Sequence, residues 1–154
     1  MLLTGTFERS FDDKQRIAIP KPLRDALRQV GAESLIVAPG TDGSLALYTE
    51  ETFAALADRL AVVSPNSQDV RSFSRLLFAR AQRVEIDKTG RVRIPAELAL
   101  WAGIEKTATL VGVRDHMELW DKSRWEAYLA GIEPRFDQIA EQAFEPPAAR
   151  PTRE

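Results

Sequence analysis

Two short stretches of the chain set a carboxylate and a guanidinium at one fixed spacing. Asp12-Asp13-Lys14-Gln15-Arg16-Ile17-Ala18-Ile19-Pro20 returns further on as Asp87-Lys88-Thr89-Gly90-Arg91-Val92-Arg93-Ile94-Pro95. The shared frame is Asp-x-x-x-Arg, an alternating strand, then proline. An arginine displayed beyond a turn can read guanine O6 and N7 through two parallel hydrogen bonds, worth about 1–3 kcal/mol of discrimination. A basic β-ribbon can enter the major groove of duplex DNA. This assigns Arg16 and Arg91 to bases, and Lys14, Lys88 and Arg93 chiefly to phosphates, which position without specifying. The aspartates have a second use: an ion pair from Asp12 to Arg16 and from Asp87 to Arg91 holds each turn and orients the arginine.

Other chemistry is poorly supplied. His116 is the only histidine and there is no cysteine, so thiolate metal sites and disulfides are excluded. His116 falls in a turn between two strands, where an exposed polar residue is the simplest reading. Gly40 and Gly43 lack the Lys-Ser/Thr partner of a phosphate loop. The Asp12-Asp13 pair neighbours Lys14 and Arg16, which repel a cation. No catalytic residue, metal, cofactor or small-molecule substrate is expected.

The repeat extends beyond the motif and dictates the elements that carry it. Phe11 matches Ile86, Leu23 matches Leu98, and Gly31 matches Gly103. Leu45-Ala46-Leu47-Tyr48 matches Met117-Glu118-Leu119-Trp120, and Phe53 matches Trp125. Thr6 to Phe11 reads as a strand with Arg16 to Ile19 as its partner. Ile17 and Ile19 share one face and Arg16 and Ala18 the other; Val92 and Ile94, Arg91 and Arg93 repeat this. The second turn suits a glycine in the left-handed region at Gly90. Gln15 holds that place in the first copy; it either keeps the geometry at a cost of about 1–2 kcal/mol or opens the turn slightly.

A helix is expected from Pro22 to Gly31, and a second from Pro95 to Ala102. Strands follow at Leu35–Ala38 and Ser44–Tyr48, then at 107–113 and 117–120. Thr49 and Asp121 are N-caps of longer helices, with Gly131 after the second. Ser67 opens a further helix through Arg80, with Val70, Phe73, Leu76 and Leu77 on one face. It has no counterpart in the first copy and reads as a linker. Trp101, Trp120, Trp125, Tyr48 and Phe53 read as core or interface residues. Two halves that each bury one face close a core together.

The formal net charge of −2 argues mildly against nucleic acid. The charge is unevenly placed, however. Arg71, Arg75, Arg80, Arg83, Lys88, Arg91 and Arg93 stand in one stretch against Glu85 and Asp87. Screening over ~8–10 Å lets a local basic face act inside an acidic chain. The amino terminus lacks a signal-peptide pattern, and no apolar run reaches the roughly 18 residues of a membrane span. A cytoplasmic protein with no membrane partner is expected.

These residues resemble the MraZ family. The resemblance rests on Gly5-Thr6, the two Asp-x-x-x-Arg copies, Leu110-Val111-Gly112-Val113 and Glu118-Leu119-Trp120-Asp121, in order across residues 5 to 130. It implies an α+β fold: a swapped-hairpin, AbrB-like β-barrel core built from two pseudo-repeats, with flanking helices and a linker helix. The repeat divides the chain into half-domain 1 at 5–53, a helical linker at 54–80, half-domain 2 at 81–131 and a tail at 132–154, whose composition predicts disorder beyond Pro146. The resemblance also implies a nucleoid-associated transcriptional regulator of the division and cell-wall gene cluster, a ring homo-oligomer on short direct repeats of double-stranded DNA near its own promoter. Arg16 and Arg91 match the motif arginines, Asp12 and Asp87 the motif aspartates. Gln15, Thr4 and Ala99 depart from the family pattern. The alternative is an AbrB-like protein-interaction module that never touches DNA; a small enzyme is the more distant rival.

Overall fold

The computed structural model describes residues 1–146; the expectation of disorder beyond Pro146 lies outside them. Strands β1 (Thr6–Ser10) and β2 (Arg16–Ala18) lead into α1 (Lys21–Gln29). Then come β3 (Ser34–Pro39), β4 (Leu45–Tyr48), α2 (Glu50–Ala61) and α3 (Gln68–Arg80). The second copy supplies β5 (Gln82–Glu85), β6 (Arg91–Arg93), α4 (Ala96–Trp101), β7 (Thr107–Val113) and β8 (His116–Asp121). Helices α5 (Lys122–Ile132) and α6 (Phe136–Phe144) follow. Met1–Lys122 forms one compact unit and the segment from Ser123 another.

The architecture is mixed α+β with wholly antiparallel pairing. Six strands form one sheet in the order β1-β7-β8-β4-β3-β5, and β2 and β6 form a separate two-stranded ribbon. The copies are therefore interleaved. The first strand of each copy pairs with the third strand of the other: β1 with β7, and β5 with β3. The second strands, β2 and β6, pair with each other.

This corrects the expectation that Arg16 to Ile19 partners Thr6 to Phe11. One turn hydrogen bond, Asp12 N–H to Arg16 C=O at 3.0 Å, ties the two strands, and they then part. The reason is burial. Ile17 faces Val92 across the ribbon, at 1% and 0% exposure. Each ribbon strand also docks on the other copy's turn: Ile19 N–H donates to Gly90 C=O at 2.9 Å, and Ile94 N–H to Gln15 C=O at 3.0 Å. Pairing within each copy would forgo these bonds and leave β7 without its five-residue register on β1.

The core draws on both copies. Ile17, Ile19, Val92 and Ile94 pack with Leu23, Leu27, Leu98, Leu35, Leu47, Leu110 and Leu119. Alternation thus puts the apolar ribbon residues inside and Arg16, Ala18, Arg91 and Arg93 outside. Thr49 caps α2 by accepting from Thr52 N–H at 3.1 Å, and Ser67 caps α3.

Three expectations shift. Of the α3 stripe only Leu77 is buried; Phe73 and Leu76 are exposed, as is the neighbouring Phe78. Trp120 is in the core but Trp101 is exposed. Gly131 lies within α5, which runs on to Ile132. A single glycine inside a helix costs about 1 kcal/mol against alanine, which one turn can absorb.

Candidate nucleic-acid interface

Each motif turn is built on its aspartate. Asp12 Oδ1 accepts from the backbone N–H of Lys14 and of Arg16, both at 2.9 Å. Asp87 Oδ1 accepts from Thr89 N–H at 3.0 Å and Arg91 N–H at 2.9 Å. The Thr89 hydroxyl adds a third bond at 2.9 Å. Aspartate suits the position because its short side chain reaches its own turn's N–H groups. The fourth turn residue is left-handed in both copies: Gln15 has φ 61° and Gly90 φ 78°. Of the two outcomes open to it, Gln15 therefore keeps the geometry and carries its strain rather than opening the turn.

The remaining carboxylate oxygens hold the arginines. Arg16 Nε donates to Asp12 Oδ2 at 2.8 Å, and Arg91 Nε to Asp87 Oδ2 at 3.2 Å. Pairing of β2 with β6 brings the two motifs together, so the pairs also cross. Arg16 Nη1 stands 3.9 Å from Asp87 Oδ2, and Arg91 Nη1 stands 3.6 Å from Asp12 Oδ2. The turn-holding ion pair is thus present, and it joins the copies in a four-residue ring. The Arg91 backbone N–H, with the Thr89 contacts behind it, holds the Asp87 carboxyl down at about 2. The Arg16 backbone N–H leads the same lowering at Asp12. Hydrogen bonds to the charged form are what favour it.

The ring is not sealed. The Arg16 and Arg91 side chains retain 25% and 37% of their exposure. Lys14, Lys88 and Arg93 are exposed. Arg93 Nε donates to Lys14 C=O at 3.1 Å; among the described residues no carboxylate lies within ion-pair distance of Arg93. All five predicted basic residues therefore belong to the ribbon and its two turns.

Two further arginines join them. A groove of about 480 Å³ is lined by Arg16, Arg83, Arg91 and Arg93 together with Glu85 and Asp87. Arg83 is held by Glu50 at 2.9 Å and Glu85 at 3.6 Å. Its place on the solvent face of β5 was readable by alternation, but its nearness to the ribbon depends on the chain crossing. Arg24 of α1 packs over the second turn, where a Cβ on Gly90 would collide with its side chain. Its Nε is buried with no hydrogen-bond partner. In the repeat Ala99 corresponds to Arg24, and Gln15 to Gly90. The large Arg24 of the first copy thus sits over the small Gly90 of the second.

His116 lies away from the motif ring, stacked on Tyr48 with ring centroids 5.1 Å apart. Its Nδ1 is 2.8 Å from Asp115. Among the described residues no group of three or more His, Cys, Asp or Glu could hold a metal ion, and no helix is long and apolar enough to cross a membrane.

Residues 2–76 and 77–146 each match the family described as "MraZ protein, putative antitoxin-like". The chain is 36% identical to the transcriptional regulator MraZ of Pediococcus pentosaceus over 144 residues, covering 94% of this chain and 98% of that one. It is 38% identical over 138 residues to the protein of the same name from Acetivibrio thermocellus, covering 90% and 94%. The corresponding protein of Thermomicrobium roseum is 37% identical over 126 residues, covering 82% and 86%.

Proposed function

The chain belongs to the MraZ family, and on that premise we propose that it is a sequence-specific DNA-binding transcriptional regulator. Its relatives carry the name transcriptional regulator. The observation that carries the reading is the β2–β6 ribbon, which gathers both Asp-x-x-x-Arg turns on one face with their guanidinium groups outward. Arg16 and Arg91 read base edges, held ready by Asp12 and Asp87. Lys14, Lys88 and Arg93 contact phosphates. Fixing the arginines beforehand lowers the ordering cost of binding.

The finer assignment follows the resemblance. The targets are short direct repeats near the protein's own promoter in the division and cell-wall gene cluster, and the protein acts in the cytoplasm at the nucleoid. The crossed pairing of β1 with β7 and β2 with β6 supports a swapped-hairpin, AbrB-like core made of half-domains 5–53 and 81–131. Exposed Phe73, Leu76 and Phe78 on α3 supply apolar surface for a ring of copies. Linked weak sites gain avidity of order 10²–10⁴, which suits one ribbon per repeat and a net charge of −2.

Footprinting the purified protein on its own upstream region is the test. Protection of spaced short repeats, lost in Arg16→Ala while the circular dichroism spectrum is kept, is the expected result. No protection at any salt concentration favours the protein-interaction module instead.

A further inference from the structure

The ribbon is almost, but not fully, symmetric. Exchanging the two copies sends Ile17 to Val92 at its centre, Arg16 to Arg91, and Ala18 to Arg93. The register sets Arg16 opposite Arg93 at one end and Ala18 opposite Arg91 at the other. Residues two apart on a strand share a face, so all four side chains are on the outward side. One end therefore carries two guanidinium groups, and the other carries one guanidinium and a methyl.

Directly opposed like charges on a strand pair disfavour each other. Arg16 is neutralised by Asp12 at 2.8 Å. Among the described residues Arg93 has only the Lys14 carbonyl, at 3.1 Å. The ribbon thus keeps one arginine on the reading face with donors uncommitted to a carboxylate, beside an arginine already oriented. Such a pair suits two neighbouring acceptor edges on stacked bases. The Arg91 end suits one, and the Ala18 methyl beside it suits apolar contact of the kind a thymine methyl offers.

Resting on the DNA-binding reading above, we infer that Arg93 is a specificity residue as well as a phosphate contact, and that it gives the ribbon a direction along the duplex. A ribbon with equal ends would read its site equally well turned end for end. With Arg93 against Ala18, the two orientations present different donor patterns, and only one fits a given non-palindromic site.

Selection from randomised duplexes by the full-length protein, its Arg93→Ala and Arg93→Lys variants, and Ala18→Arg, tests this. Positions 18 and 93 are exposed, so all four proteins are expected to fold. The wild type should select a non-palindromic site. Arg93→Ala should lose preference at one end alone, by about tenfold at the affected base pairs. Arg93→Lys should not restore it, because an ammonium cannot make the two-bond contact. Ala18→Arg should add a specified position at the opposite end. A uniform loss over all sequences in Arg93→Ala, with the salt slope lower by about one, makes Arg93 a phosphate contact only and overturns the inference. If the wild type selects no sequence, the DNA-binding reading itself fails and takes this inference with it.

Discussion

Asp12 and Arg91 belong to different copies of the motif, yet Asp12 Oδ2 stands 3.6 Å from Arg91 Nη1. The two motifs are therefore one electrostatic object. Asp12→Asn should disturb both arginines and weaken specific binding by about tenfold, the scale of one base contact. Solvent-screened pairs of this kind add little to stability, so the thermal midpoint should move only slightly. A mobility shift beside a melting curve checks this, and wild-type affinity in Asp12→Asn removes the aspartate from the binding role.

Coupling of the arginines follows from the same ring. Residues sharing one charge network depart from additivity by about 0.5–3 kcal/mol. The losses in Arg16→Ala and Arg91→Ala should sum to more or less than the loss in the double variant by that amount. A double-mutant cycle on operator affinity measures it; strict additivity means that the copies read DNA independently.

The two turns should respond oppositely to glycine exchange. Gln15→Gly relieves about 1–2 kcal/mol of left-handed strain at φ 61° against roughly 0.5–1 kcal/mol of added chain entropy, so it should stabilise the protein by up to about 1 kcal/mol. Gly90→Gln adds a side chain in the left-handed region beneath Arg24 and should destabilise by more than 1 kcal/mol. Urea unfolding of both variants decides. A stabilising Gly90→Gln would mean that Arg24 does not cover the turn.

Acid should open the second turn at an unusually low pH. Asp87 falls from an ordinary 3.8 to about 2, so its contribution is complete above the unfolded value. It is lost as pH drops through the folded one. The Asp87 carboxyl carbon followed by NMR should titrate near 2 in the wild type. Asp87 titrating near 3.8 would falsify the bonding scheme at the turn.

Phosphate contacts should show in the salt dependence. Lys14→Ala and Lys88→Ala should each lower the slope of log affinity against log salt by about one, leaving the preferred sequence unchanged. A changed preference would place that lysine on a base edge.

Much of this was legible beforehand, for particular reasons. Ile17 and Ile19, with Val92 and Ile94, alternate with Arg16, Ala18, Arg91 and Arg93, and that period fixes a face. The turns announced themselves through aspartate placement, and the left-handed position through Gly90. Pairing was hidden, since a period of two tells which face a strand buries but not which strand lies beside it. The short turn from Asp12 to Arg16 suggested neighbours, whereas the burial of Ile17 against Val92 prevailed. Arg83 counted only toward the basic stretch and not toward the ribbon, because only the crossing of the chain brings β5 near it. Phe73 and Leu76 carry a core-like pattern on α3 that the described residues leave exposed; periodicity cannot separate an interior from an interface.

The crossed chain path also bears on how the protein is made. As it leaves the ribosome, Thr6 has no ladder partner until Val111 has been added, which at about 5–20 residues per second means roughly 5–20 s of waiting. Throughout that interval Phe7 lacks its partner Leu110, and Ile17 lacks Val92 until β6 has been made. Chaperone engagement should accordingly be densest while the second copy is still being translated, and should fall once β7 emerges.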